Sequence, residues 1–163
     1  MISFSNIQTA ATVTSTVSTS YTTTSTVSTF LLQAIGSSTS ADGQYAMVGA
    51  GSGFNDDTVT FGALSTATLF TLDSGCILYE ESGNPGYVGN QDNGLGQEPL
   101  YFNNPSTVSN GEVFALAQCV VGEGSELDCT LGPYSVPSIC SGTLEYYTGT
   151  NGCSDVTLLV VPS

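Results

Sequence analysis

The sequence predicts an all-β protein: a compact antiparallel β-sandwich or barrel, with a trefoil-like barrel as the second arrangement, behind an extended Ser/Thr-rich N-terminal arm. Three observations lead there. No window repeats apolar residues at i, i+3, i+4 and i+7 over three turns, and the helix formers Lys and Arg are absent. Short β-branched and aromatic runs recur between clusters of Gly, Asn, Asp, Ser and Pro. Five cysteines occur with no CxxC and no His, a pattern that favours disulfides over zinc.

The 163 residues suit one domain, residues 30–163, preceded by an arm of residues 1–29. In the arm, Ile7, Ala11, Val13, Val17, Tyr21 and Val27 all fall on odd positions, so an extended chain would carry them on one face with Ser and Thr opposite. That parity suits a strand docked on a sheet, its own or a neighbouring subunit's. The density of Ser and Thr suits an O-glycosylated stalk. Both readings stay open.

After the arm, the β-rich segments are 29–35 (TFLLQAI), 43–49 (GQYAMVG), 58–62 (TVTFG), 68–72 (TLFTL) and 76–80 (CILYE). The last two flank Asp73-Ser74-Gly75 and form the clearest hairpin, with Gly at the tight turn. Residues 83–99 read as a long structure-poor loop. Further strands are expected at 99–103 (PLYFN), 112–121 (EVFALAQCVV), 127–131 (LDCTL), 141–147 (SGTLEYY) and 156–161 (VTLLVV).

Cysteines close in sequence sit on neighbouring strands in this reading, so the expected disulfides are Cys119–Cys129 and Cys140–Cys153. Each would close a loop of about 10–14 residues and remove ~3 kcal/mol of unfolded-state entropy in the chain-entropy model. Cys76 is left over, either as a buried free thiol or as a bridge to another chain. The disulfides imply an oxidising compartment, hence a secreted or cell-surface location. The opening MISFSNIQTA shows neither the positive nor the apolar region of a secretory signal, so export is expected from a mature or excised form or by another route.

Charge excludes more than any motif suggests. Fourteen Asp and Glu stand against no Lys, Arg or His. Phosphate backbones and anionic lipids are held by basic side chains, so neither nucleic acid nor docking on anionic lipid is expected, and no run approaches the ~18 apolar residues that membrane insertion needs. A Ser-His-Asp relay, a lysine Schiff base and a Walker-type phosphate loop are ruled out. With 40% hydrophobic and 9% charged residues, the chain lacks the profile of a disordered protein and can form a core.

TLDSG (71–75) matches the loop signature of aspartic proteases, but two such loops must share a proton and no second one occurs. Those residues read as a hairpin turn. Glu80-Glu81 and Asp56-Asp57 offer carboxylates for glycoside hydrolysis, yet adjacent strand residues face opposite ways and no Trp marks a sugar cleft. No catalytic residue and no cofactor are expected. Calcium is the one ion the composition motivates, through Asn90, Asp92, Asn93 and Glu98 or Asn55, Asp56 and Asp57, although neither set completes an EF-hand loop. For a neutral glycan, the planar rings and short polar groups to test are Tyr87, Asn90, Asp92, Tyr101, Asn103 and Asn104. Tyr146 and Tyr147 are adjacent, so one is expected in the core and the other exposed.

The Ser/Thr tract followed by ADGQYAMVGAG, ATLFTLDSGCIL, PLYFNN, AQCVVGEGSELDCT, SICSGTLEYY and GCSDVTLLVV resembles a Cys-containing all-β domain of secreted, Ser/Thr-rich cell-wall proteins of filamentous fungi. The resemblance spans residues 30–162 and is most specific at the 70–78 hairpin and the final segment in which Cys140 and Gly152-Cys153 precede Val156-Thr157-Leu158. It implies a wall-linked or matrix role and no catalytic residues. The chain departs from the pattern at Cys76, where the resemblance leads one to expect Gly. The expectation is a non-enzymatic structural or adhesive component of a wall, matrix or surface fibre, binding copies of itself or other surface proteins. The alternative is a carbohydrate-binding module.

Overall fold

FLLQAI is an apolar run without a helical period, and in the computed structural model of the protein it forms strand β1 (Phe30–Ile35), with Phe30, Leu32 and Ala34 turned inward. The structure describes residues 29–50, 57–89, 96–103, 113–148 and 152–163. The arm, with its choice between stalk and docked strand, therefore lies outside the described residues up to residue 28. The strands that follow are β2 (Tyr45–Ala50), β3 (Asp57–Gly62), β4 (Phe70–Leu72), β5 (Leu78–Glu80), β6 (Gly86–Gly89), β7 (Gln97–Pro99) and β8 (Tyr101–Phe102). They continue with β9 (Val113–Leu116), β10 (Gln118–Val121), β11 (Leu127–Thr130), β12 (Val136–Cys140), β13 (Thr143–Tyr147), β14 (Ser154–Asp155) and β15 (Thr157–Pro162). The helical content among the described residues is two short 3-10 turns, Leu64–Thr66 and Glu123–Ser125, and no helix there is long and apolar enough to cross a membrane.

Every pairing among the described residues is antiparallel, and the arrangement is the sandwich-like one. The main sheet runs β14-β12-β13-β3-β2-β1-β4-β5, with β15 added on β1, β7 on β13, and β8, β6 and β9 continuing from β3. β10 and β11 form a separate two-stranded ribbon. The two ends of the domain are laced together: β1 and β15 pair from Phe30↔Pro162 to Ile35↔Thr157, and Ser163 Oγ donates to Thr29 O at 2.9 Å. The core gathers Leu32, Phe70, Leu100, Phe102, Leu144 and Leu158, all at most 1% exposed. Phe70 is its hub, 6.4 Å from the ring of Phe30 and 5.7 Å from that of Phe102.

Four segments differ from the sequence expectation. Residues 83–99 contain β6 and β7 rather than only loop; residues 90–95 between them are not described. Gly-rich composition hid β6, yet Gly86 has a packing reason: a Cβ there would lie 3.1 Å from Phe102 Cζ and 3.3 Å from Ala117 Cβ. The expected long strand 112–121 breaks at Ala117, whose N–H donates to Gly86 O at 2.8 Å while its carbonyl accepts from Leu78 N at 3.1 Å. The chain changes partners there, from β6 to the segment before β5. Strand β12 was missed because Pro137 argues against a central strand, and it is paired on both sides, by β13 and β14.

Finally, Tyr146 and Tyr147 are both buried, at 1% and 5% exposure. They do face opposite ways, but Tyr147 is covered too, and its hydroxyl donates to Asp155 Oδ1 of β14.

Candidate functional site

The hairpin 70–80 shows how the acidic side chains are used. Asp73 Oδ1 accepts from Gly75 N and Ile77 N, both at 2.8 Å, and Asp73 O accepts from Cys76 N at 3.0 Å. This is the turn reading of TLDSG, with the carboxylate occupied by backbone N–H groups as Asp commonly is in turns. At the other end of β5, Glu80 is 6% exposed, and its Oε2 and Oε1 accept from Ser82 N (2.8 Å) and Asn84 N (3.2 Å). Buried carboxylates with such partners hold a turn shut. Glu81 is exposed on the next residue.

The glycan candidates divide three ways. Asn90, Asp92 and Asn104 lie outside the described residues, as do the calcium candidates Asn55, Asp56 and Asn93. Tyr87 and Tyr101 are brought together as direct partners across β6 and β8, rings 5.8 Å apart and tilted by 34°. Tyr87, however, is 2% exposed and turned into the protein, so it offers no ring face for stacking, whereas Tyr101 and Asn103 are half-buried. Glu98 is buried on β7 opposite Tyr146, and Asp57 begins β3 half-buried.

The structure joins Cys119 to Cys129 and Cys140 to Cys153 and leaves Cys76 free. Cys140, Cys153 and Glu145 bring their ligand-type atoms within 4.8 Å of one another, but the two sulfurs are bonded to each other rather than available as thiolates. Burial raises the Glu145 carboxyl above its ordinary pKa. Tyr147 is pushed up to about 12, first by its hydrogen bond to Asp155, then by burial and the charge of that carboxylate. Tyr146 rises further through burial, helped by the charge on Asp128, and among the described residues its hydroxyl has no hydrogen-bond partner.

Two features escaped the sequence reading. On β10, Val120 and Val121 are 56% and 48% exposed, although CVV suggests core. Beside Val120 runs an open groove that also takes in Cys76, Cys119, Asp128, Cys129 and Thr130. The first is hidden in the sequence because it depends on how the ribbon packs: on β10 only Cys119 turns into the core, and both valines stay outside it. The spacing of Cys76 from Cys119 carried no signal of their meeting. No known family model matches the chain, and no curated protein matches it.

Proposed function

We propose that the chain is a non-enzymatic structural or adhesive component of an extracellular wall, matrix or surface fibre, working by association with copies of itself or with other surface proteins. The observation that carries this reading is the outer edge of β10. Its first residues meet the hairpin 70–80, through the Ile77↔Gln118 bridge and Cys119 N to Cys76 O at 2.8 Å. Beyond them, among the described residues, Val120 and Val121 pair with β11 alone and expose their side chains. An edge with backbone groups on offer and two exposed valines is a template for strand addition. Two disulfides and a surface without cationic side chains suit an oxidising exterior and neutral, cationic or hydrogen-bonding partners.

Light scattering on the full chain across a concentration series tests this. Concentration-dependent assembly that Val120→Asp weakens at least tenfold is the expected result. A monomer at every concentration that also ignores isolated wall material overturns the reading. Deleting residues 5–29 separates the two roles of the arm, since an unchanged oligomeric state dismisses inter-subunit strand donation. Carbohydrate binding is the second reading, supported by the half-buried Tyr101 and Asn103. A glycan array that gives micromolar binding abolished by Tyr101→Ala would put it first.

A further inference from the structure

Cys76, Cys119 and Cys129 stand in one row across three adjacent chain segments. The Ile77↔Gln118 bridge is antiparallel, so the next pair along is Cys76 opposite Cys119, where Cys119 N donates to Cys76 O at 2.8 Å. On its other side Cys119 faces Cys129 in register, Cα atoms 4.0 Å apart. All three cysteines line the same open groove, and Cys76 is half-buried and unbonded. It also occupies the left-handed region, φ 63°, at the end of the Asp73–Gly75 turn.

We propose that this row is a thiol–disulfide exchange site, in which Cys76 takes over Cys119 and releases Cys129. The Cys76 thiolate attacks Cys119 Sγ, the Cys119–Cys129 bond breaks, and its electron pair leaves on Cys129 Sγ, which then takes up a proton. One thiol and one disulfide go in and come out, so no oxidant or reductant is consumed. Cys119 is the sulfur attacked because it is the middle of the row, next to both other cysteines. In the first state the ribbon β10–β11 is stapled to itself. In the second, β10 is stapled to the hairpin 70–80, β11 loses its covalent tie, and the reactive thiol moves from the turn to β11. The inference does not depend on the adhesive reading, because it concerns bonds within one chain.

The test uses the full chain purified without reductant, held at pH 8.5 for increasing times, quenched in acid, and alkylated with N-ethylmaleimide under denaturing conditions. Because the chain has no Lys or Arg, pepsin at low pH replaces trypsin and also halts further exchange. The expected result is label shared between Cys76 and Cys129 together with a Cys76–Cys119 linked peptide, and loss of all Cys129 label in Cys76→Ser. Should the equilibrium lie far to one side, Cys129→Ser treated with oxidised glutathione is expected to form Cys76–Cys119 as its main bond at that site. Label confined to Cys76 in the wild-type chain, with no Cys76–Cys119 bond in either protein, overturns the proposal. A disulfide-linked dimer through Cys76, with no label on Cys129 and no Cys76–Cys119 bond, does so as well.

Discussion

The main sheet and the β10–β11 ribbon are both antiparallel, and they are held by different means. In the main sheet the central strands have neighbours on both sides and turn alternate side chains into a shared core, as β1 does with Phe30, Leu32 and Ala34 between β15, β2 and β4. The ribbon has two short strands, shows two valines to solvent, and owes its closure to a covalent bond between facing residues. A two-stranded hairpin is marginal by itself. Packing stabilises both regions, since Cys119, Leu127 and Cys129 of the ribbon join the core, but the ribbon adds a cystine and leaves the outer end of β10 uncovered.

The largest effects should sharpen that contrast. Phe70→Ala leaves a cavity where Phe30 and Phe102 meet, and it should cost about 3–5 kcal/mol in urea unfolding, whereas Val120→Ala on the ribbon should stay within about 0.5 kcal/mol. Similar losses for the two would break the comparison. Replacing Cys119 and Cys129 together by Ala should cost about 2–3 kcal/mol, the value for a loop of separation 10. Hydrogen exchange should then show the ribbon amides opening before those of β1 and β15.

Smaller effects probe β13 inside the main sheet. Tyr146→Phe removes a hydroxyl buried without a partner among the described residues, so it should be neutral or stabilise the protein by about 1 kcal/mol. Tyr147 behaves in the opposite sense, since its hydroxyl is used. Its pKa is raised when folded, so its contribution is complete below about pH 10, the ordinary tyrosine value, and is lost as pH climbs through about 12. A melting-temperature profile for Tyr147→Phe should be lower than wild type at neutral pH and flatter across that alkaline interval. Parallel profiles would remove Tyr147 from the account.

The strands legible in the sequence were those whose own pattern suffices. FLLQAI and VTLLVV announce themselves as short, largely apolar runs between turn residues, and each is found within a residue or so of its expected place. The disulfide partners were legible because each pair is near in sequence and joined by a plausible turn. β6 and β12 were not, because Gly86 and Pro137 oppose strand structure locally and are accepted only because Phe102 packs over the glycine and β13 and β14 flank the proline. The candidate site was read unevenly. Tyr87 and Tyr101 do meet, but the burial of Tyr87 follows from the surroundings of β6, which no periodicity in a Gly-rich segment discloses.

Composition alone determined that this protein would be β-rich, acidic throughout and cross-linked, because residue type limits backbone preference, charge and covalent chemistry wherever the chain happens to go. Only the tertiary structure decided which carboxylates are tied into turns, which valines face water, and that Cys76 lies beside a cystine 43 positions further along the chain. Those outcomes rest on contacts between distant segments, and such contacts are set by the cooperative packing of the whole sheet rather than by any stretch of residues within it.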